Sequence, residues 1–100
     1  MSTEARLTAT IVRELKRRKI WHAKIHGGPH QRAGLPDLLV IVNGRAGWFE
    51  VKTLCGKLTP LQEAMLRRLR DAGCYAGVVR SIEGFEKQLE VFLKSCSESF

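Results

Sequence analysis

The spacing of hydrophobic positions predicts three helices in this chain. Apolar residues recur at helical spacing from Thr3 to Lys19, and the same period returns from Thr59 to Ala72 and roughly from Ile82 to Lys94. Pro60 suits the first turn of the second helix and Gly73 its end. The residues of the predicted apolar stripes are Leu7, Ile11, Val12, Leu15, Leu61, Met65, Leu66, Leu69, Phe85, Leu89, Phe92 and Leu93.

Four shorter segments have the pattern of strands. Residues 20–26 (IWHAKIH) alternate loosely, residues 46–53 (AGWFEVKT) and 74–80 (CYAGVVR) are rich in strand formers, and residues 37–42 (DLLVIV) form a continuous apolar run. Such a run is typical of a strand buried on both faces. The composition of residues 27–36 (GGPHQRAGLP) predicts an irregular loop. At the other end of the chain, the residues from 95 onwards predict a polar C-terminal tail. The order α-β-β-β-α-β-α predicts an α/β fold with a mixed four-stranded sheet flanked by helices.

The segment NGRAG, between the second and third strands, has the composition of a hairpin turn. If Asn43 and Gly44 form a two-residue type I′ turn, Val42 pairs with Arg45. A looser five-residue loop would shift this register, and with it every pair in the two strands.

The type I′ register places Asp37 directly opposite Glu50, with their side chains about 5 Å apart. Side chains alternate between faces, so Lys52 shares the face of Glu50 while Phe49 and Val51 point to the other face. Two adjacent carboxylates repel each other unless a cation lies between them, and hard oxygen ligands suit Mg²⁺ or Mn²⁺. Lys52 could orient or deprotonate a water, or stabilise charge on a phosphate. The structural alternative is a turn aspartate beside a solvated salt bridge.

Composition and charge narrow the classes of function. The 100 residues carry 17 Lys and Arg against 10 Asp and Glu, a net charge of +7, which favours polyanionic partners and nucleic acid first. The chain has no apolar run near the roughly 20 residues that span a bilayer and no apolar leader segment, so we expect a soluble, cytoplasmic protein with no membrane partner. Its length predicts one domain over residues 1–100. Its three cysteines are widely spaced and predict reduced thiols.

The acidic and basic residues also carry a family resemblance. Pro36-Asp37 followed by Glu50-Val51-Lys52 resembles the PD-(D/E)xK nuclease signature. The stretches GLPDLLVIV, WFEVKT, GKLTPLQ and LRDAGCYAGVVRSIEG are similar, in this order, to the virus-type replication-repair nuclease (VRR-NUC) domain along nearly the whole chain. The resemblance implies a restriction-endonuclease-like core and divalent-metal hydrolysis of phosphodiester bonds. It further implies action on branched DNA as a homodimer, in a phage-infected or bacterial cell.

The resemblance also implies roles for individual residues. Asp37 and Glu50 match the metal-binding carboxylates of the family, the main-chain carbonyl of Val51 a further ligand, and Lys52 the catalytic lysine. Gln62 matches a glutamine that faces the family's site. It also fits a capping box with Thr59, in which the glutamine only satisfies a backbone N–H.

The family has a glutamate on its first helix, and two residues compete for that place. At about 100° per residue, Glu4 lies near the centre of the stripe formed by Leu7, Ile11 and Leu15, whereas Glu14 lies at its edge. We therefore expect Glu4 to be the helix-one acid, although a glutamate there could simply favour the positive N-terminus of the helix.

The basic residues predict a DNA-binding surface. The spacing of His22, His26 and His30 does not place them on one face, which argues against a histidine metal site, and His26 is the best placed of them to border the acidic site. The residues we expect to contact DNA are Lys16, Arg17, Arg18, Lys19, His26, Arg32 and Lys57.

The sequence therefore predicts a metal-dependent DNA endonuclease, selective for branched DNA such as four-way junctions, with no organic cofactor. One alternative is a non-catalytic DNA-binding module whose acidic face is structural. Another is a sequence-specific nuclease of the same fold, although the chain has no appended recognition domain.

Overall fold

The structure is a computed structural model that describes residues 2–25 and 32–97. It confirms the predicted element order and a four-stranded mixed sheet, in the strand order β1-β2-β3-β4. The first three strands are antiparallel neighbours, and β4 runs parallel to β3. The elements are α1 (Thr3–Arg17), β1 (Trp21–Lys24), β2 (Leu38–Val42), β3 (Arg45–Val51), α2 (Pro60–Asp71), β4 (Tyr75–Val79) and α3 (Ile82–Ser97).

Two helix ends differ from the prediction by more than one residue. The first helix ends at Arg17 rather than Lys19, because Lys19 adopts a positive φ of 58° that a right-handed helix cannot continue through. The third helix continues to Ser97, so the prediction of a polar tail from residue 95 was wrong for residues 95–97. Cys96 follows Phe92 by four positions, lies on the same helical stripe and is fully buried. Burial of this cysteine therefore holds the last turn of α3 in place.

The hydrophobic core lies between one face of the sheet and the two helices α1 and α3. Alternation along the strands sends Leu38, Val40, Phe49, Val51 and Val79 to this face, and all five are fully buried. The helices contribute Ile11, Leu15, Phe85, Leu89, Phe92 and Cys96. None of the helices within the described ranges is long and apolar enough to cross a membrane.

Helix α2 covers part of the opposite face of the sheet. Its residues Met65 and Leu66 are buried outside the core cluster, and Gln62 reaches Glu50, which points away from that cluster. The loop before β2 packs against the first turn of α2 at Gly34. This glycine has a φ of +84°, and a Cβ there would lie 2.8 Å from the carbonyl oxygen of Leu61. The close approach joins the segment that leads to Asp37 to the helix that carries Gln62.

The two margins of the sheet differ. On β4, the outward carbonyls of Ala76 and Val78 accept hydrogen bonds from the side chains of Arg70 and Gln88, at 2.9 and 2.7 Å. On β1, the register turns the backbone groups of His22 and Lys24 outward, and no part of the described chain pairs with them.

Candidate active site

The hairpin between β2 and β3 has the predicted register. Asn43 and Gly44 both have positive φ, 50° and 77°, as a type I′ turn requires, and Val42 pairs with Arg45. The ladder ends at the Leu38–Phe49 pair, so the next residues along the two strands are Asp37 and Glu50. The turn chemistry therefore brings these two acids together at the end of the hairpin.

Asp37 is held at the end of β2 by backbone hydrogen bonds. Its carboxylate oxygen Oδ2 accepts from the backbone N–H of Val51 at 2.8 Å. Its carbonyl oxygen accepts from the N–H of Ile25 at 2.8 Å. The side chain therefore bridges to β3 one residue beyond Glu50, which fixes its orientation beside that glutamate.

Glu50 is an acid in an unfavourable position for a negative charge. It is only 3% exposed, and its Oε1 atom is buried with no hydrogen-bond partner. Burial and the neighbouring charge of Asp37 raise the pKa of Glu50 to about 8, against the weaker opposing effect of the Lys52 charge. A buried acceptor without a donor indicates that a positively charged partner would be stabilised here.

Lys52 lies on the same side of the chain as Glu50, as the period of two predicts. Its ammonium Nζ is 3.8 Å from Glu50 Oε2, and its side chain is largely buried. The residue follows the last residue of β3, yet its N–H still donates to the carbonyl of Val79 at 3.0 Å. This bond to β4 holds the lysine backbone in the extension of the strand.

Gln62 combines the two roles that the sequence left as alternatives. Its side-chain carbonyl accepts from the N–H of Thr59 at 3.0 Å, and its own N–H donates to Thr59 Oγ1 at 3.1 Å, which completes a capping box. Its side-chain amide Nε2 donates to Glu50 Oε2 at 2.9 Å. One amide group therefore both begins α2 and orients the buried acid.

The two candidate acids of α1 have different surroundings. Glu4 lines a cleft of about 300 Å³ together with Thr8 and Asp37. Glu14 is paired at the other end of the helix with Arg17 and Arg18, at 2.6 and 2.9 Å, and these hydrogen bonds lower its pKa to about 2. The geometry supports Glu4 as the helix-one acid, which stays a prediction.

The carboxylates form a pair rather than a larger cluster. Across residues 2–25 and 32–97, the structure has no group of three or more His, Cys, Asp or Glu side chains close enough to hold a metal ion. Glu4 therefore shares a cleft with Asp37 but does not complete a three-acid site with Asp37 and Glu50.

Comparison with known proteins agrees with this arrangement. The family model described as VRR-NUC domain matches residues 6–83. The chain belongs to the VRR-NUC family. A solved structure titled "VRR_NUC domain" is similar over 90% of this chain and 97% of its own, at 28% identity and a TM-score of 0.78. No curated protein matches the chain. This VRR-NUC domain therefore has a nuclease-type fold, with Asp37, Glu50 and Lys52 inside the matched region and Glu4 just before it.

The basic residues of this VRR-NUC domain divide into exposed and paired groups. Arg17 and Arg18 both bind Glu14, and Arg18 also lies 3.3 Å from Glu90. These two guanidinium groups are therefore already engaged by carboxylates. His26 lies outside the described residues. The members of the predicted DNA-binding set that are exposed and have no carboxylate partner among the described residues are Lys16, Lys19, Arg32 and Lys57; Arg17 is exposed but paired.

Arg80, which directly follows β4, holds the turn beside the site, a role that its sequence position did not predict. Its Nη1 atom donates to the carbonyls of Thr53 and Gly56, both at 2.6 Å, and lies 3.4 Å from that of Leu54. One guanidinium thus fixes the turn that follows Lys52 in this VRR-NUC domain. The only signal in the sequence is an arginine at the end of a buried apolar run, GVVR.

Proposed function

We propose that this chain is a divalent-metal-dependent endodeoxyribonuclease that cleaves branched DNA. The observation that carries the proposal is the buried, unpaired Oε1 of Glu50 beside the Asp37 carboxylate, with the Lys52 ammonium 3.8 Å from the other oxygen of Glu50. Membership of a nuclease family supports DNA as the substrate. We place the activity in the cytoplasm of a bacterial or phage-infected cell.

The donor set fits Mg²⁺ or Mn²⁺. The carboxylates of Asp37 and Glu50 are hard oxygen ligands, and the main-chain carbonyl of Val51 is a further candidate. A cation at this position would reduce the repulsion between the two acids and give the buried Glu50 Oε1 a partner.

The side chains of the site have different roles in hydrolysis. A bound divalent ion supplies Lewis-acid chemistry, because it polarises the phosphate and makes a water molecule easier to deprotonate. Lys52 Nζ stabilises the charge that develops on the phosphate oxygens and is placed to exchange a proton with the attacking water. Gln62 holds one oxygen of Glu50 and leaves Oε1 available for the ion.

DNA contacts are proposed for exposed cations in two places, beside the site and at the opposite end of α1. Lys57 follows the turn held by Arg80, and Arg32 precedes the loop that leads to Asp37. Lys16 and Lys19 extend the surface at the end of α1 and beyond. Arg17 and Arg18 would have to exchange Glu14 for a phosphate, so their contribution is smaller.

The enzyme is proposed to act as a homodimer. A radius of gyration of 13.1 Å is too small to surround a duplex, and a two-fold pair would present two sites to a branched substrate. The open β1 margin supports this arrangement: Trp21 is 57% exposed and lies opposite Ile41, which is 38% exposed. Light scattering tests the dimer by measuring the molar mass in solution. We expect the mass of two chains for the wild type and of one chain for Trp21→Asp. A one-chain mass for the wild type would contradict the dimer.

The nuclease proposal is tested by incubation with linear, flapped, bubbled and four-way-junction DNA of one sequence. Each substrate is assayed with Mg²⁺, with Mn²⁺ and with EDTA. We expect cleavage of the branched substrates with either metal and none with EDTA. Intact DNA in every reaction, with binding retained, would instead indicate a non-catalytic DNA-binding module.

A further inference from the structure

A second cleft lies beside the candidate active site, across the first turns of α1. It has a volume of about 660 Å³ and runs between α1, the turn after β3 and Arg80. Helical spacing puts Arg6 on the side of α1 opposite Glu4 and Thr8, with Leu7 between the two sides. The cleft reaches Thr53, the residue after Lys52, and it lies against the same first turns of α1 as the cleft of Glu4 and Asp37.

The lining of this cleft combines apolar surface with guanidinium groups. Leu54 is 79% exposed and lines the cleft with Leu7. The Arg6 side chain has no hydrogen bond or ion pair to any described residue, although it is close to this apolar surface. Arg80 uses Nη1 for the carbonyls of the turn and also lines the cleft.

This combination matches the chemistry of a nucleotide. A phosphate is recognised by guanidinium groups, and a base packs against apolar side chains or on a guanidinium plane. The volume lies within the roughly 300–1,000 Å³ of small-molecule sites. The net charge of +7 further favours a polyanion over a peptide or lipid chain.

We propose that this cleft binds an unpaired nucleotide of the DNA substrate, next to the phosphate that is cleaved. The inference rests on the proposed nuclease function and deepens it. A base in an intact duplex must leave its stack to enter a cleft, and an already unpaired base at a branch avoids most of that cost. The cleft therefore favours branched over continuous duplex DNA.

Cys55 provides a reporter for occupancy, because it is exposed and lines the cleft, whereas Cys96 is buried. The full chain in EDTA is treated with N-ethylmaleimide, alone and with saturating flapped or blunt duplex DNA, and each cysteine is quantified by peptide mass spectrometry. We expect flapped DNA to protect Cys55 several-fold more than blunt duplex does, with Cys74 labelling unchanged. Equal Cys55 labelling in all three samples would overturn the proposal.

Substitutions separate the phosphate and base contacts. Arg6→Ala should weaken binding of flapped DNA several-fold and reduce the slope of log affinity against log salt by about 0.7, the value for one contact to a single strand. The matched control is Arg13→Ala, which removes an exposed arginine of the same helix that lines a different cleft. Leu54→Ser should weaken binding only when the nucleotide at the branch has a base, and not when it is abasic. Equal losses for Arg6→Ala and Arg13→Ala contradict the assignment.

Cleavage is assayed separately, which keeps the two proposals distinguishable. Protection of Cys55 without metal-dependent cleavage would support the nucleotide site and overturn the nuclease function. Cleavage of branched DNA without protection of Cys55 would overturn the nucleotide site alone.

Discussion

The amide of Gln62 donates to Oε2 of Glu50 at 2.9 Å and thereby couples the start of α2 to the buried acid of β3. The same side chain completes the capping box with Thr59. The two functions can be separated by substitution, because Thr59 contributes only to the cap.

Thr59→Ala and Gln62→Ala should therefore have different effects. Thr59→Ala removes the cap and should lower the free energy of unfolding by about 1 kcal/mol while DNA cleavage is largely kept. Gln62→Ala should lower stability by a similar amount and also reduce the cleavage rate, because Glu50 loses its orienting donor. Urea unfolding and single-turnover cleavage measure the two quantities. Equal cleavage by both variants would limit Gln62 to its structural role.

Glu50→Gln should stabilise the metal-free chain while abolishing cleavage. The pKa of Glu50 is about 8 in the folded chain and lies near 4.5 when unfolded, so the stability associated with this group is present below pH 4.5 and is lost as the pH rises towards 8. The glutamine variant does not lose this stability. The difference in free energy of unfolding between the variant and the wild type should therefore grow as the pH rises across that range. Thermal unfolding in EDTA at several pH values measures it, with the exposed Glu83→Gln as control. A pH-independent difference would contradict the burial argument.

Lys52→Ala should reduce cleavage by roughly 10²- to 10⁴-fold, the usual contribution of a positioned acid or base. Binding of branched DNA should change little, since Lys52 is one largely buried cation among many exposed ones. Lys52→Arg keeps the charge without the compact ammonium and should restore only part of the rate. Gel-shift and cleavage assays on the same junction separate the effects. Loss of binding in parallel with cleavage would make Lys52 a DNA-anchoring residue.

Gly34→Ala should be more destabilising than Gly44→Ala, although both glycines have positive φ. A Cβ at Gly44 meets nothing within 4 Å, so its substitution costs about 1 kcal/mol of backbone strain. At Gly34 the added carbon would also lie 2.8 Å from Leu61 O, which must displace the loop that leads to Asp37. Urea unfolding should show the larger loss for Gly34→Ala, together with reduced cleavage. Equal losses would indicate that the loop adapts freely.

Local chemistry made the fold and the central acids predictable from the sequence. Asn43-Gly44 determines one turn type, that turn determines the register, and the register alone places Asp37 beside Glu50. The helices followed from spacing in the same way, except that α1 ends at Arg17 before the positive φ of Lys19 and that the buried Cys96 extends α3.

The remaining features depend on contacts between distant segments, which spacing does not encode. From the sequence, the helix cap and the site were alternative roles for Gln62. In the structure its side-chain carbonyl accepts from Thr59 while its amino group donates to Glu50, so both roles hold. Arg80 could not be assigned because its acceptors are main-chain carbonyls 24 to 27 positions away. Glu14 looked like a candidate acid until its two arginine partners were placed.

The unequal margins of the sheet limit how copies of this chain can join. Arg70 and Gln88 occupy the outward carbonyls of β4, whereas His22 and Lys24 leave the backbone of β1 available among the described residues. Among the described residues, the β1 margin is therefore the side that suits strand-to-strand addition in the proposed homodimer. When two copies join in this way, each covers the β1 margin of the other. The assembly then stops at a pair and does not extend into an open-ended fibre.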